Sequence, residues 1–226
     1  MRRLSLDDPP FAAGAGEGIT IAVVDSGVFP AHPHVGGRVT GGFCALTLVD
    51  AEDWIDRIGH GTAVAAAIHE KAPLASLLAV RVFDRSLTTS VGALAAGIAW
   101  AADNGAQLIN LSLGTANAAH AEVLGEAVGY ASQRGALVVS ARESNGQRWL
   151  PGSLHGAIGV LLDPECGRDQ IGHVDGGGAG AVYAASGFPR PIPGVPVERN
   201  LSGISFAVAN VTGFLARMRS AGGGLS

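Results

Sequence analysis

The sequence predicts an α/β fold: a three-layer, doubly wound, mostly parallel sheet with helices on both faces. Three observations predict it. Short, continuously apolar runs recur along the 226 residues. Longer Ala-rich stretches of helical length separate them, and strands alternating with such helices are the signature of βαβ units. The composition is 47% hydrophobic, 15% charged and 5% aromatic, so a large core of Ala, Val, Leu and Gly can pack helices closely onto a sheet.

The first strand is "ITIAVVD" (19–25), apolar and β-branched throughout, as a strand buried on both faces must be. The pattern returns in "SLLAVRVF" (76–83), "AQLINLSL" (106–113), "GALVVSA" (135–141) and "GAIGVLL" (156–162). A weaker sixth example is "GAVYAAS" (180–186). Helices are expected over "GTAVAAAIHEKA" (61–72), "SVGALAAGIAWAADNG" (90–105) and "AHAEVLGEAVGYASQRG" (119–135), the last two ending in the glycine that commonly closes a helix. A final helix spans about 204–219. No repeat and no boundary interrupts this series, so a single domain over 1–226 is expected, with a short N-terminal segment 1–18 and a frayed tail at 220–226.

Bulk properties narrow the function. The net charge is −4 with no Lys/Arg cluster, which argues against nucleic-acid binding. No apolar run is long enough to span a bilayer. The start, "MRRLSLDDPPFAAG", lacks the apolar stretch of a secretory signal. A cytoplasmic location is therefore expected, or secretion if a signal and prosegment have been removed. Cys44 and Cys166 are too few for a disulfide framework; two free thiols are expected, although a single bridge stays open. His32 and His34 in "PAHPHVGG" lack a nearby third ligand, so they read as polar loop residues and no metal or cofactor is expected. Oligomeric state leaves no trace in the sequence.

In open parallel sheets, sites gather beyond the C-terminal strand ends. Asp25 ends the first strand in "VVDSGV". His60 precedes an apolar helix in "GHGTAVAAAI", and Ser205 opens another in "SGISFAVANV". Singly these residues read as a loop cap, a turn histidine and a helix N-cap. Together, in the order Asp, His, Ser, they fit nucleophilic catalysis. A serine hydroxyl needs an adjacent base, an imidazole can accept its proton, and a carboxylate holds the imidazole in the right tautomer. A serine at a helix N-terminus also lies near free backbone N–H groups and a favourable dipole.

The segments "VVDSGV", "HGTAVAAAI", "LINLSLG" and "GISFAVANVTG" resemble the subtilisin-like serine proteases, the subtilase family, over roughly residues 19–217. The resemblance implies a serine endopeptidase acting on peptide or protein substrates through an acyl-enzyme, with Asp25, His60 and Ser205 as its triad. It implies that Ser112, Leu113 and Gly114 bind an extended substrate by strand addition. A compact peptide-maturing protease is one form of this reading. The alternatives are a weak or inactive peptide-binding pseudoprotease and a transpeptidase of peptide biosynthesis.

The match departs at "VVSARESNG". Where the family carries small residues and then an oxyanion-binding asparagine, this chain has Arg142 and Glu143. The asparagine arrives one place late, so Asn145 is expected in the oxyanion role with Ser144 as the ungapped alternative. By the resemblance this run lines the pocket for the residue before the scissile bond, and because Arg142 and Glu143 alternate along an extended segment only one of them can face it. Glu143 facing it would favour a basic side chain; Arg142 facing it would favour an acidic one or partly fill the pocket, and a pair between them or with a neighbour would narrow the site without charging it. The helix after His60 runs straight to the next strand without the longer, Asn-rich calcium loop of many relatives, so no structural calcium is expected there. Only about eighteen residues precede the first strand, so the family's prosegment is not seen; the protein either folds unaided or has been trimmed.

Overall fold

Seven strands run parallel through the middle of the molecule, and the chain winds outward from a central pair in both directions. The computed structural model describes residues 3–46, 53–175 and 180–223. In chain order the elements are β1 (Arg3–Ser5), β2 (Thr20–Asp25), β3 (Val39–Cys44), α1 (His60–Lys71), β4 (Ser76–Arg81), α2 (Val91–Asp103) and β5 (Leu108–Leu111). They continue with α3 (Ala121–Gln133), β6 (Leu137–Ala141), β7 (Glu143–Ser144), β8 (Gln147–Arg148), β9 (Ile158–Leu162), β10 (Gln170–Val174), β11 (Val182–Ala185) and α4 (Ile204–Ser220).

The main sheet has the order β1-β10-β11-β9-β6-β5-β2-β4-β3. From β11 to β3 every pairing is parallel. β10 and β1 continue one edge antiparallel. From β2 the chain builds β3 and β4 on one side, then crosses to β5 and builds the rest on the other. The β2–β5 boundary is therefore the switch point, the place where such sheets open a crevice.

The apolar strands bury both faces by simple alternation. Ile21 and Val23 of β2 join one core with Leu77 and Ala79 of β4, under α1 and α4. Ala22 and Val24 join the other with Leu78 and Val80, under α2 and α3. Helices α2 and α3 end as their sequences predict. Gly105 and Gly135 take φ of 79° and 77°, and the next amide in each case reaches back to Ala101 or Ala131. That closure needs a left-handed residue, which glycine adopts without a Cβ clash.

The expected elements are present within one to three residues, and four additions stand out. β1 places part of the N-terminal segment in the sheet edge, paired with β10. β3 forms from "VTGGFC", whose paired glycines hide its strand character. β10 is the third. The fourth is a small hairpin of β7 and β8. Ser220 belongs to α4 rather than to a tail, and residues 224–226 of the expected tail lie outside the described residues. Cys44 and Cys166 are both free and buried. No described helix is long and apolar enough to cross a membrane.

Candidate active site

β2 and β5 deliver two segments side by side at the switch point. β2 ends at Asp25, which is fully buried. Its carboxylate accepts a hydrogen bond from the Ser26 amide at 2.7 Å and faces Nδ1 of His60 at 2.7 and 3.0 Å. His60 is the first residue of α1. The helix begins so close to β2 that a Cβ at Gly61 would meet the Gly27 carbonyl oxygen at 2.1 Å, so only glycine fits after this histidine. With Asp25 accepting, Nδ1 carries the proton and leaves Nε2 as the free acceptor.

A residue that the sequence reading missed fixes this corner. Asp56, four positions before His60, accepts from Ser26 Oγ and the amides of Ile58 and Gly59 through one oxygen, at 2.8, 2.9 and 2.8 Å. Its other oxygen accepts from the Thr62 amide and hydroxyl at 2.9 and 2.6 Å. It thus caps α1 from outside the helix, because the N-cap Gly59 has no side chain to do so. Burial raises the Asp56 pKa, but the bonds from Thr62, Gly59 and Ile58 outweigh it and hold the carboxyl below its usual range. Burial likewise lowers the His60 pKa; the hydrogen bond and charge of Asp25, with the charge of Asp56, reverse this and raise it above 6.5. An aspartate just before a Gly-His-Gly helix start was the available signal.

Ser205 sits in the first turn of α4, across the cleft. Its hydroxyl donates to the Ser112 carbonyl at 2.9 Å, and Ser112 Oγ donates back to the Ser205 carbonyl at 3.0 Å. Asn110 of β5 donates to Ser112 Oγ at 2.9 Å and accepts from Thr212 Oγ1 at 2.9 Å. Asn110 and Thr212 are fully buried, so this chain of polar groups bolts the start of α4 to the end of β5. Phe206, next to Ser205, packs against the His60 ring at a centroid distance of 5.8 Å. Among the described residues no hydrogen bond joins Ser205 Oγ to His60.

One cleft of about 260 Å³ is lined by His60, Ser112, Leu113, Gly114 and Ser205, with Phe83, Leu87, Ala141, Trp149, Ile204 and Val208. A larger cavity of about 430 Å³ opens on the other side of α1's start, near His32, His34 and Arg190. Of the two, the smaller cleft alone contains both His60 and Ser205.

The structure therefore brings Asp25, His60, Ser205 and residues 112–114 together, and it leaves out the other expected residues. Asn145 and Gly146 are the two central residues of the β7–β8 turn, with φ of 53° and 73°. Two left-handed residues in succession make the mirror-image turn that twisted hairpins prefer, and Asn-Gly is its favoured sequence. Asn145 is exposed at the tip and lies outside the lining of the cleft, as does Ser144. Glu143 pairs with Arg148 along the hairpin and is exposed. The stem of Arg142 lies over Gly159 of β9. Neither side chain lines the cleft, and the 143–148 hairpin supplies none of its lining. His32 and His34 stack edge to face at 5.1 Å, and His32 accepts from the His34 amide. Among the described residues no group of three or more His, Cys, Asp or Glu gathers as a metal site. The turn after α1, residues 72–75, offers no side-chain oxygen.

Residues 16–160 match the family model described as the Subtilase family. The chain belongs to the subtilase family. It is a subtilisin-like serine protease, a hydrolase. The family match contains Asp25 and His60 and ends before Ser205. Thermitase of Thermoactinomyces vulgaris is 34% identical over 92% of this chain and 77% of that protein. A thermophilic serine proteinase of Bacillus sp. (strain AK1) is 33% identical over 91% of this chain but only 53% of its own length. In three dimensions, Sphericase matches with a TM-score of 0.71 at 25% identity, covering 91% of this chain and 78% of that one. The subtilase fold thus spans most of the described chain.

Proposed function

We propose that this subtilase is an endopeptidase that cuts peptide bonds with Asp25, His60 and Ser205. The pair of buried Asp25 and His60 at the switch point, with His60 and Ser205 lining one cleft, is the observation that carries the reading. The Ser205 hydroxyl turns from the Ser112 carbonyl toward His60 Nε2, which takes its proton as Oγ bonds to the substrate carbonyl carbon. The imidazolium, stabilised by Asp25, then gives that proton to the leaving amine as the C–N bond breaks. Water repeats the sequence on the acyl-enzyme, with His60 again the base, and releases the acid and the free serine.

Negative charge on the carbonyl oxygen meets the N-terminus of α4. That helix has no side-chain cap, so the amide of Ser205 and the helix dipole are available to it. Residues 112–114 extend the edge next to Ser205, and a substrate strand can add there. A narrow cleft suits a protease of restricted substrates, as in peptide maturation.

A second reading, a peptide-binding pseudoprotease, draws on one observation: among the described residues no side-chain amide lines the cleft. Fluorophosphonate labelling separates the two. The native protein is expected to label at Ser205 and to cleave a peptide library. Ser205→Ala is expected to lose labelling and about 10⁶-fold in rate, as triad removal does in subtilisin. Retained peptidase activity in that variant would remove Ser205 from the mechanism; a native protein that neither labels nor cleaves supports the pseudoprotease.

A further inference from the structure

We propose that Trp149 sets the specificity of this protease, closing the floor of the cleft so that only a small, uncharged side chain fits before the scissile bond. The proposal rests on the proteolytic reading above and adds to it the class of substrate.

The floor is built by main-chain pairing. The Trp149 amide donates to the Arg142 carbonyl at 2.9 Å, which ties it to the end of β6. Its neighbour Leu150 exchanges two hydrogen bonds with Thr115, at 2.9 and 3.1 Å, which ties it to the segment beyond β5. Residue 149 therefore lies between the two walls of the cleft, residues 112–114 on one side and Ala141 on the other. Whatever side chain stands there decides how deep the space between the walls is.

In this chain that side chain is the largest available. The indole ring lies along Gly114, where an added Cβ would meet Trp149 Cε3 at 3.4 Å and the Leu150 carbonyl oxygen at 2.5 Å. It packs against the core under α4, and it lines the cleft alongside Ser205, Ile204 and Val208. Its Nε1 is buried with no hydrogen-bond partner among the described residues. A buried, unpaired N–H is costly, so the ring is held there by packing and shape rather than by a polar anchor. The whole cleft measures about 260 Å³ and extends past His60 to Phe83 and Leu87. That is below the roughly 300–1,000 Å³ of typical ligand sites, although this cleft must serve several substrate residues.

The lining also lacks charge. Among the described residues His60 is its one titratable group, and Arg142 and Glu143 stand outside. A lysine, arginine or glutamate side chain entering between the walls would be desolvated without a partner. Large aromatic side chains meet the indole itself. Glycine, alanine and, at the limit, valine remain.

The test uses the full chain, with active sites counted by fluorophosphonate so that rates refer to competent enzyme. A peptide series varies only the residue before the scissile bond: Gly, Ala, Val, Leu, Phe, Lys and Glu. Wild type is expected to prefer Ala over Phe, Lys and Glu by at least about tenfold in kcat/KM, in line with the roughly 10–200-fold that one methylene can decide in an apolar pocket. Trp149→Ala is expected to raise the ratio of kcat/KM for the Phe over the Ala substrate at least about tenfold. Trp149→Leu leaves a smaller void and covers the case in which the alanine variant does not fold; it is expected to raise the Val and Leu substrates. A wild type that cleaves Phe as well as Ala overturns the proposal, as does a variant with the wild-type order. Failure to label at all would instead overturn the proteolytic reading, and this proposal with it.

Discussion

On one side of the cleft, each polar group near His60 is held by another polar group that is itself anchored. Asp25 accepts from Ser26, Ser26 donates to Asp56, and Asp56 collects the amides that begin α1. On the other side, residues 143–148 form a two-stranded hairpin whose exposed residues contact the cleft nowhere. The first region tolerates little change, because removing one group leaves several buried partners unsatisfied. The second can vary in length and sequence without touching Ser205. The difference is between a corner whose polar groups are interlocked and a hairpin that supplies none of the cleft's lining.

The largest effect that sharpens this contrast is expected at Asp56. Asp56→Ala leaves the amides of Ile58, Gly59 and Thr62 without their acceptor and frees the turn that carries His60. Bonds to charged groups contribute about 1.5–3 kcal/mol, so the variant is expected to lose about 2–3 kcal/mol, or roughly 5–10 °C in Tm. The sign of the pH dependence follows from the depressed pKa. A carboxylate held below its ordinary value stabilises the fold above that value, and the contribution disappears as pH falls through the folded pKa. The melting gap between wild type and variant is thus expected to be full at neutral pH and to close below about pH 4. A gap that persists at low pH would assign the loss to packing.

A medium effect is expected in the pH profile. In the proposed mechanism His60 acts as base when neutral, and its pKa is raised above 6.5 despite burial. Activity is expected to rise with pH through one ionisation whose midpoint lies above 6.5. Because the charge of Asp56 contributes to that rise, Asp56→Asn is expected to move the acid limb to lower pH. An unmoved limb would leave Asp25 as the source of the whole shift.

Much of the fixed region was legible in the sequence. The strand ending in Asp25 and the helices opening on His60 and Ser205 are local patterns, and the parallel order of the strands brings their ends together without further information. Asp56 was less visible, since its role is to bond backbone amides in a loop, and many loop aspartates look the same. At Asn145 the difference between the expected place and the observed hairpin turn has a physical source. Aligning the asparagine with an oxyanion donor gave weight to its amide, whereas Asn-Gly between short polar segments obeys a stronger local rule, the hairpin turn. Trp149 was invisible for a different reason. Its place between the walls depends on pairings with Arg142 and with the strand across the cleft through Leu150 and Thr115, which no local pattern encodes.

The smallest effect is expected at that turn, and the choice of variant decides whether it can be read. Asn145 has φ of 53°, so alanine there would add backbone strain to the loss of the amide. Asn145→Gly removes the amide and keeps a residue that adopts positive φ freely, so the hairpin persists. If the amide stays at the exposed tip, kcat/KM should change less than about threefold, far below the roughly 10²–10³-fold that loss of an oxyanion donor costs. A drop of that larger size, with the melting temperature unchanged, would mean that the hairpin folds over Ser205 when substrate binds. The two sides of the cleft would then be coupled in catalysis, and the division between a fixed corner and a free wall would hold only for the resting protein.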